Sequence, residues 1–249
     1  MSKDDLYRIL LRWFGPAVRK YARLDVVGIE RVPEPGEPLI LVCHHPGSLW
    51  WDAICLAAAL PQRQIRFVAQ HWDSQQRLLN SMLRRVGALY QSAEVDDIDS
   101  GDEVARALEL GQTVCVYPEQ SYHTFWRRYT LFAFAAHALR YAEVSRAQVV
   151  PVAIIGAEEA APTLLGWKKR GVPFHFPVQP PLVLPCKITI EFGPAKTFKD
   201  LTKSFSQDSA SDAYETGAEE LRSNLAEVIR RHRPCQLSDQ SYIEHNGWW

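Results

Sequence analysis

The string LILVCHHPGSLWWD, residues 39–52, constrains the fold more than any other stretch of the chain. Its first five residues are a continuous apolar run of strand length, suited to a strand buried on both faces, and Pro46 with Gly47 stops it. Such strands belong to sheets covered by helices on both sides. The two histidines then stand at the carboxyl end of a strand, where open α/β sheets bind their ligands, and Asp52 follows His45 after six intervening residues at the start of a helix. Imidazole titrates near neutrality and takes a proton from a hydroxyl, while a carboxylate on its other nitrogen fixes the tautomer and stabilises the imidazolium. The layout therefore fits a base and its orienting acid. It also fits a structural set, with Asp52 a first-turn acid favoured by the helix dipole, Ser48 an N-cap and either histidine a hydrogen-bonded loop residue.

Beyond this string, helix and strand alternate. Residues 50–60 read as a helix ended by Pro61, 64–69 as a strand, and 74–86 as an amphipathic helix. Residues 100–110 read as a helix with Ser100 or Asp99 as cap and Gly111 as stop, and 113–117 as a third strand. A helix over 127–143, a strand over 149–155 and the alternating KITIEF of 187–192 complete the core. The expected fold is α/β, a largely parallel central sheet flanked by helices and preceded by an N-terminal amphipathic helical segment. The Pro-rich stretch 171–185 cannot form ordinary helix and reads as a long surface excursion, and 204–211 is a polar connection. A last helix over 213–233 is amphipathic through Tyr214, Ala218, Leu221, Leu225 and Val228, and Pro234 stops it. The expected organisation is amphipathic helices over 1–24, one α/β domain over 25–234 and an extended tail over 235–249.

Composition sets the surroundings. With 249 residues, 47% of them hydrophobic, the chain is long enough for a large core, and its net charge of −1 gives no basic field for nucleic acid. The five cysteines are odd in number and widely spaced, which fits reduced, packed thiols in a cytosolic setting rather than a disulfide framework. No CxxC or His-x-x-x-His pattern suggests a metal. No leader peptide is expected, and the longest apolar run, residues 53–60, is far short of the roughly 20 residues of a spanning helix. Near the N-terminus, Leu6, Ile9, Leu10, Trp13, Phe14, Ala17 and Tyr21 follow helical spacing, with Arg8, Arg12, Arg19 and Arg23 on the other side. That is the pattern of a helix lying in a membrane interface, and Gly15-Pro16 is expected to break it into two pieces. The same residues would equally serve a helix that packs on the core with a solvated basic side.

A second strand end carries VCVYPEQS, in which Pro118 stops the strand and Glu119 emerges at its carboxyl edge as His45 does at the other. A carboxylate there binds substrate hydroxyls or orients an arginine, and Arg127 and Arg128 follow closely enough to supply a phosphate contact. Alone, these would read as an acidic turn residue and a solvated basic pair.

Together, CHHPGSLWWD, VYPEQ and VVPVAI resemble the ordered motifs of the glycerolipid (lysophospholipid) acyltransferase family: a strand-terminal Asn-His with a spaced Asp, then Phe-Pro-Glu-Gly, then a Val-Pro-Val strand. The resemblance runs over residues 25–194 and includes the lead-in VGIERVPEPGEPLILV and the run RRYTLFAF; IIGAEEAAPTL is similar to a branch with a lengthened His-to-Asp spacer.

The resemblance implies an O-acyltransferase of lipid metabolism, moving a fatty acyl group from acyl-CoA or acyl carrier protein to a lysophospholipid or related lipid alcohol. In that family a histidine is the general base and an aspartate supports it; carried over, these are His45 and Asp52, with His44 in the usual asparagine slot as the competing base. Glu119 matches a substrate-binding glutamate, but its usual glycine partner is Gln120, which narrows the acceptor site. Main-chain amides around Gly47 and Ser48 are candidate oxyanion donors, and Arg128 completes the substrate-binding set. No cofactor beyond the thioester co-substrate is implied, and the expected location is the cytoplasmic side of a membrane, peripheral or monotopic. Two other activities fit the same residues: a catalytically impaired lipid-binding protein, suggested by Gln120, and a thioester or ester hydrolase in which the base activates water.

Overall fold

The computed structural model describes residues 3–44, 50–69, 77–90, 102–119, 124–168, 175–178, 180, 182–203 and 210–233. Its middle layer is a seven-stranded sheet with β2 (Leu39–Cys43) at the centre, between β5 (Thr113–Val116) and β6 (Gln148–Ile155). Beyond β5 lie β3 (Ile65–Ala69) and β4 (Leu89–Tyr90); beyond β6 lie β9 (Thr189–Phe192) and the edge strand β1 (Asp25–Val27). Pairing is parallel except between β6 and β9. The register sets Leu39 opposite Thr113 and Cys43 opposite Val152, so β2 and β5 end nearly level and β6 runs three residues further, to Ile155.

The all-apolar runs are explained by what covers them. Leu39, Leu41 and Cys43 of β2 point to one face, where they pack with Cys55, Leu56 and Ala59 of α2 (Trp51–Ala59). Ile40 and Val42 point to the other, against Val104 and Leu108 of α4 (Glu103–Glu109) and Leu139 and Ala142 of α5 (His137–Ser145). The C-terminal helix α8 (Ala210–His232) covers Ala153 and Ile155 of β6 with Leu225 and Ile229. α3 (Arg77–Arg85), α6 (Ala157–Ala160), α7 (Phe198–Leu201) and a small antiparallel pair, β7 (Leu165–Lys168) and β8 (His175–Val178), complete the chain. The last pair places strand structure inside part of the stretch expected to be a plain excursion. Pro151 is tolerated in a central strand because it falls between the Val149 bridge to Lys196 and the Val152 pairing with Phe192. There Gly193 donates its N–H to Pro151 O, and a Cβ on it would come within 2.7 Å of the proline ring.

Three local expectations need correction. The N-terminal helix α1 (Lys3–Tyr21) runs unbroken through Gly15-Pro16. Glycine has no Cβ to clash with the proline ring that follows it, and buried Gly15 and Ala22 lie on the side packed against α2. The face read as apolar is not the packed one: Ile9, Leu10, Trp13, Phe14 and Tyr21 are all exposed, Trp13 to 75% and Phe14 to 62%. Second, α5 begins only at His137; a 3₁₀ turn at Phe125–Arg127 and irregular backbone precede it. The reason is competition for main-chain donors, since Phe132 N donates to the Glu119 carboxylate and Ala135 N to Pro118 O. Third, the cap of α4 is Asp102. The Ser100 and Asp99 positions lie outside the described residues, as do residues 74–76, most of 171–179, 204–209 and the tail from 234.

Asp102 ties two helices together. One carboxylate oxygen accepts from Val104 N at 2.7 Å and Ala105 N at 3.2 Å, and the other accepts from the Tyr141 hydroxyl of α5 at 2.7 Å. Asp102→Ala removes an N-cap and orphans a buried hydroxyl, with an expected loss of about 2–3 kcal/mol of stability. Thermal unfolding of D102A, Y141F and the double variant checks this: the double should cost clearly less than the sum, and strict additivity would refute the coupling.

Candidate active site

The site forms where β2, β5 and β6 end. His44 follows β2 and is only 1% exposed. Residues 45–49 lie outside the described residues, so the positions of His45, Gly47 and Ser48, and the distance from His45 to Asp52, are not part of the described geometry. The chain re-enters at Trp50 in a left-handed conformation (φ 52°), and α2 begins at Trp51. Asp52, in the first turn, is fully buried. A carboxylate there gains from the helix dipole, but complete burial adds a desolvation cost that a plain first-turn acid on the surface does not bear.

The groups around Asp52 register its charge. Burial first and Asp52 second push the Cys55 thiol up to about 12. The Tyr117 hydroxyl, which follows β5, is raised well above the usual phenol range by burial and then by Asp52. Cys43 is raised by burial, by Cys115, whose sulfur is 3.6 Å away, and by Asp52. Cys43 and Cys55 are not in disulfides, nor are Cys115 and Cys186; Cys235 lies outside the described residues.

From β6 comes a residue to which the sequence assigned no role. Gly156 (φ 98°) turns the chain from β6 into α6, and a Cβ there would meet Lys187 O at 2.3 Å. Two residues on, Glu158 is 4% exposed, with Oε1 4.0 Å from His44 Nε2. Burial pushes its carboxyl well above the usual carboxylate range; Glu159 and Asp52 add to this, and the main-chain N–H groups of Glu158 and Tyr129 act against it. Oε2 of Glu158 has no hydrogen-bond partner among the described residues. The signal available in the sequence was IIGAEEAAPTL, which carried the family resemblance but not a contact.

Glu119 sits at the end of β5, 5% exposed, with Oε2 accepting from Phe132 N at 2.8 Å. Its carboxylate thus anchors the irregular stretch before α5. Arg128 is folded back on its own turn: Nη1 donates to Phe125 O at 2.9 Å, and the guanidinium carbon lies 4.3 Å from the centre of the Phe125 ring. Its buried Nε has no hydrogen-bond partner among the described residues. The structure therefore brings Asp52, His44, Tyr117 and Glu158 into one buried cluster, with Glu119 on the neighbouring strand end, and gives Arg128 a local anchor outside that cluster. His137, the first residue of α5, is buried at 3% exposure.

The family model described as Acyltransferase matches residues 23–155, just over half of the chain. The chain belongs to the acyltransferase family. That match begins before β1 and ends with β6, enclosing all three strand ends of the site. Curated relatives include an uncharacterised protein of Mycobacterium leprae, 30% identical over 211 residues covering 76% of this chain and 54% of that protein. An uncharacterised protein of Mycobacterium tuberculosis is 28% identical over 214 residues, covering 76% and 55%. The chain spans about half the length of the curated relatives it matches. Among solved structures, the 1-acyl-sn-glycerophosphate acyltransferase PlsC of Thermotoga maritima superposes with a TM-score of 0.56 at 17% identity, covering 92% of this chain and 83% of that one, which establishes a shared fold.

Proposed function

We propose that this acyltransferase moves a fatty acyl group from acyl-CoA or acyl carrier protein to a lysophospholipid or related lipid alcohol, with His45 as general base and Asp52 as its support. The observation that carries this is the complete burial of Asp52 in the first turn of α2. His44, the competitor, is 1% exposed and faces Glu158, which favours His45 as the base. In the reaction His45 takes the acceptor proton, the alkoxide attacks the thioester carbonyl, and amides near Gly47 and Ser48 stabilise the tetrahedral oxyanion. Collapse expels the thiolate, which recovers the proton from the imidazolium. Glu119 and Arg128 are the groups assigned to the acceptor head group, a carboxylate for its hydroxyls and a guanidinium for its phosphate.

Incubation with one acyl-CoA and a mixed pool of lysophospholipids, acylglycerols and lipid alcohols, followed by mass spectrometry, tests both activity and acceptor. An esterified product is expected, falling about 10²–10⁴-fold in His45→Ala. Unchanged transfer in H45A would rule out the base assignment. Free fatty acid without any acceptor product marks a hydrolase, and vesicle binding without turnover marks a lipid-binding protein.

The outward apolar face of α1 supports a peripheral membrane setting. No helix among the described residues is long and apolar enough to cross a bilayer. Trp13 and Phe14 instead suit insertion to headgroup depth, with Arg8, Arg12 and Lys20 exposed on the same helix. The double substitution Trp13→Glu, Phe14→Glu is expected to weaken binding to anionic phosphatidylglycerol vesicles by about 10²-fold, from the lost apolar burial of two aromatics. Co-sedimentation equal to that of the unchanged protein would exclude α1 as the contact.

A further inference from the structure

The two strings that carried resemblance without a role, RRYTLF and IIGAEE, meet each other and the end of β2. Tyr129, 1% exposed and in a left-handed conformation (φ 63°), donates its hydroxyl to Glu159 and aims its main-chain N–H at Glu158. A tyrosine held at positive φ costs about 1–3 kcal/mol and persists only where the surroundings fix it. Here they do: Arg233, at the end of α8, lies 5.4 Å over the Tyr129 ring with its Nε 3.8 Å from Glu159. The result is a clasp that holds α6 rigidly and presents Glu158 to His44.

Resting on the function proposed above, we infer that Glu158 is a positioning residue: held by Tyr129, its carboxyl fixes the His44 imidazole and so sets the end of β2 immediately before His45 in the chain. The first support is geometric: Nε2 and Oε1 are 4.0 Å apart at two sites that are 1% and 4% exposed. A second is that Oε2 is buried without a partner among the described residues, although a buried polar atom left unmade costs about 1–3 kcal/mol. A carboxyl so placed is not there for packing. The third is register: Cys43 pairs with Val152 on the strand that leads into α6, so α6 is tied to the end of β2 next to His44. At 4.0 Å the two groups face each other without a direct hydrogen bond; a small closure would let a protonated Glu158, or a glutamine amide in its place, donate to that imidazole nitrogen. The charged neighbours of Glu158 are Asp52 from α2, Glu159 on its own helix and Arg233 just after α8.

Four variants test this: E158Q, E158M, H44N and E158M/H44N. Methionine keeps the length and avoids stranding an imidazole partner beside an unfilled space. Two readouts are taken, kcat and KM for acyl transfer, and, independent of turnover, the tautomeric state of the His44 imidazole by ¹⁵N NMR. E158M is expected to lower kcat by up to about 10²-fold with KM within about two-fold, as for a displaced catalytic geometry. E158Q should recover most of the rate, and E158M should cost nothing further once His44 is asparagine. In the NMR, one tautomer should dominate in the unchanged protein and in E158Q, and a mixture should appear in E158M. If E158M slows the H44N protein as much as the unchanged one, or leaves the His44 tautomer untouched, Glu158 does not act through His44. Should E158M fail to melt cooperatively, E158Q decides: a change in the His44 tautomer there overturns the contact as drawn, and its retention supports it. If the unchanged protein esterifies none of the acceptors, the proposed activity falls, while the NMR still decides the contact.

Discussion

Asp52→Asn is expected to lower kcat for acyl transfer by about 10²–10⁴-fold with little change in KM, an effect worth about 3–5 kcal/mol at the transition state. Asparagine preserves the volume of a side chain that is fully buried, so packing against Cys43, Cys55 and Tyr117 is retained. What is lost is charge and the ability to accept on both oxygens. A neutral amide cannot stabilise the imidazolium that forms when His45 takes the acceptor proton, and its NH₂ group favours the wrong tautomer. Loss of the favourable dipole interaction in the first turn costs at most about 1 kcal/mol, so the kinetic effect should exceed the structural one severalfold. Steady-state kinetics with the acceptor identified by mass spectrometry, alongside thermal unfolding, separates the two. A D52N protein that keeps kcat within about three-fold of the unchanged chain would reduce Asp52 to a helix-start residue. An independent readout is the Cys55 thiol: with the neighbouring charge gone, its pKa should fall below about 12.

How much of this was legible in the sequence depends on which forces acted locally. The runs LILVC, TVCV and QVVPVAII announced buried strands because both faces of each are covered, and the Pro residues at 46 and 118 and the Gly at 156 marked their ends. Asp52 was legible because a strand end followed by a helix start places it by chain length alone. The stretch before α5 was misread because its donors are taken by acceptors distant in sequence: Glu119 reaches Phe132 N, and Pro118 O reaches Ala135 N, which a helical pattern cannot reveal. In α1 the apolar spacing was legible, but whether that face packs on the core or turns away from it was not. Tyr7, Gly15 and Ala22 are buried while Trp13 and Phe14 face outward, and a periodicity gives no sign of which apolar face meets protein. Glu158 was missed for a related reason. An acidic pair after a strand reads as a helix start, and only the sheet order, which puts β6 beside β2, brings it to His44.

His137 sets a pH dependence of stability that is separable from catalysis. It is 3% exposed, and burial, aided by the Arg140 guanidinium, depresses its pKa from 6.5 to about 4. Below pH 6.5 the unfolded chain binds a proton at this position, while the folded chain does so only near pH 4. The folded state therefore has its full stability above about pH 6.5 and loses it as the pH falls, by about 3 kcal/mol between pH 7.5 and pH 4. Glu158 acts in the opposite sense: its raised carboxyl pKa means that the folded chain holds the extra proton, a contribution present at low pH and lost as the pH rises. The two windows overlap, so a single pH profile of the unchanged protein does not isolate either group. The difference between the unchanged protein and His137→Gln does, because glutamine keeps a hydrogen-bonding side chain at the start of α5 and removes only the titration. Urea unfolding of both at half-unit intervals from pH 4 to 7.5 should give a stability difference with a slope approaching 1.4 kcal/mol per pH unit in the middle of the window. A difference that stays flat would mean that His137 titrates alike in the folded and unfolded chain, so that burial does not depress it, and a slope of opposite sign would mean that an acceptor inside the layer of α4 and α5 holds it protonated.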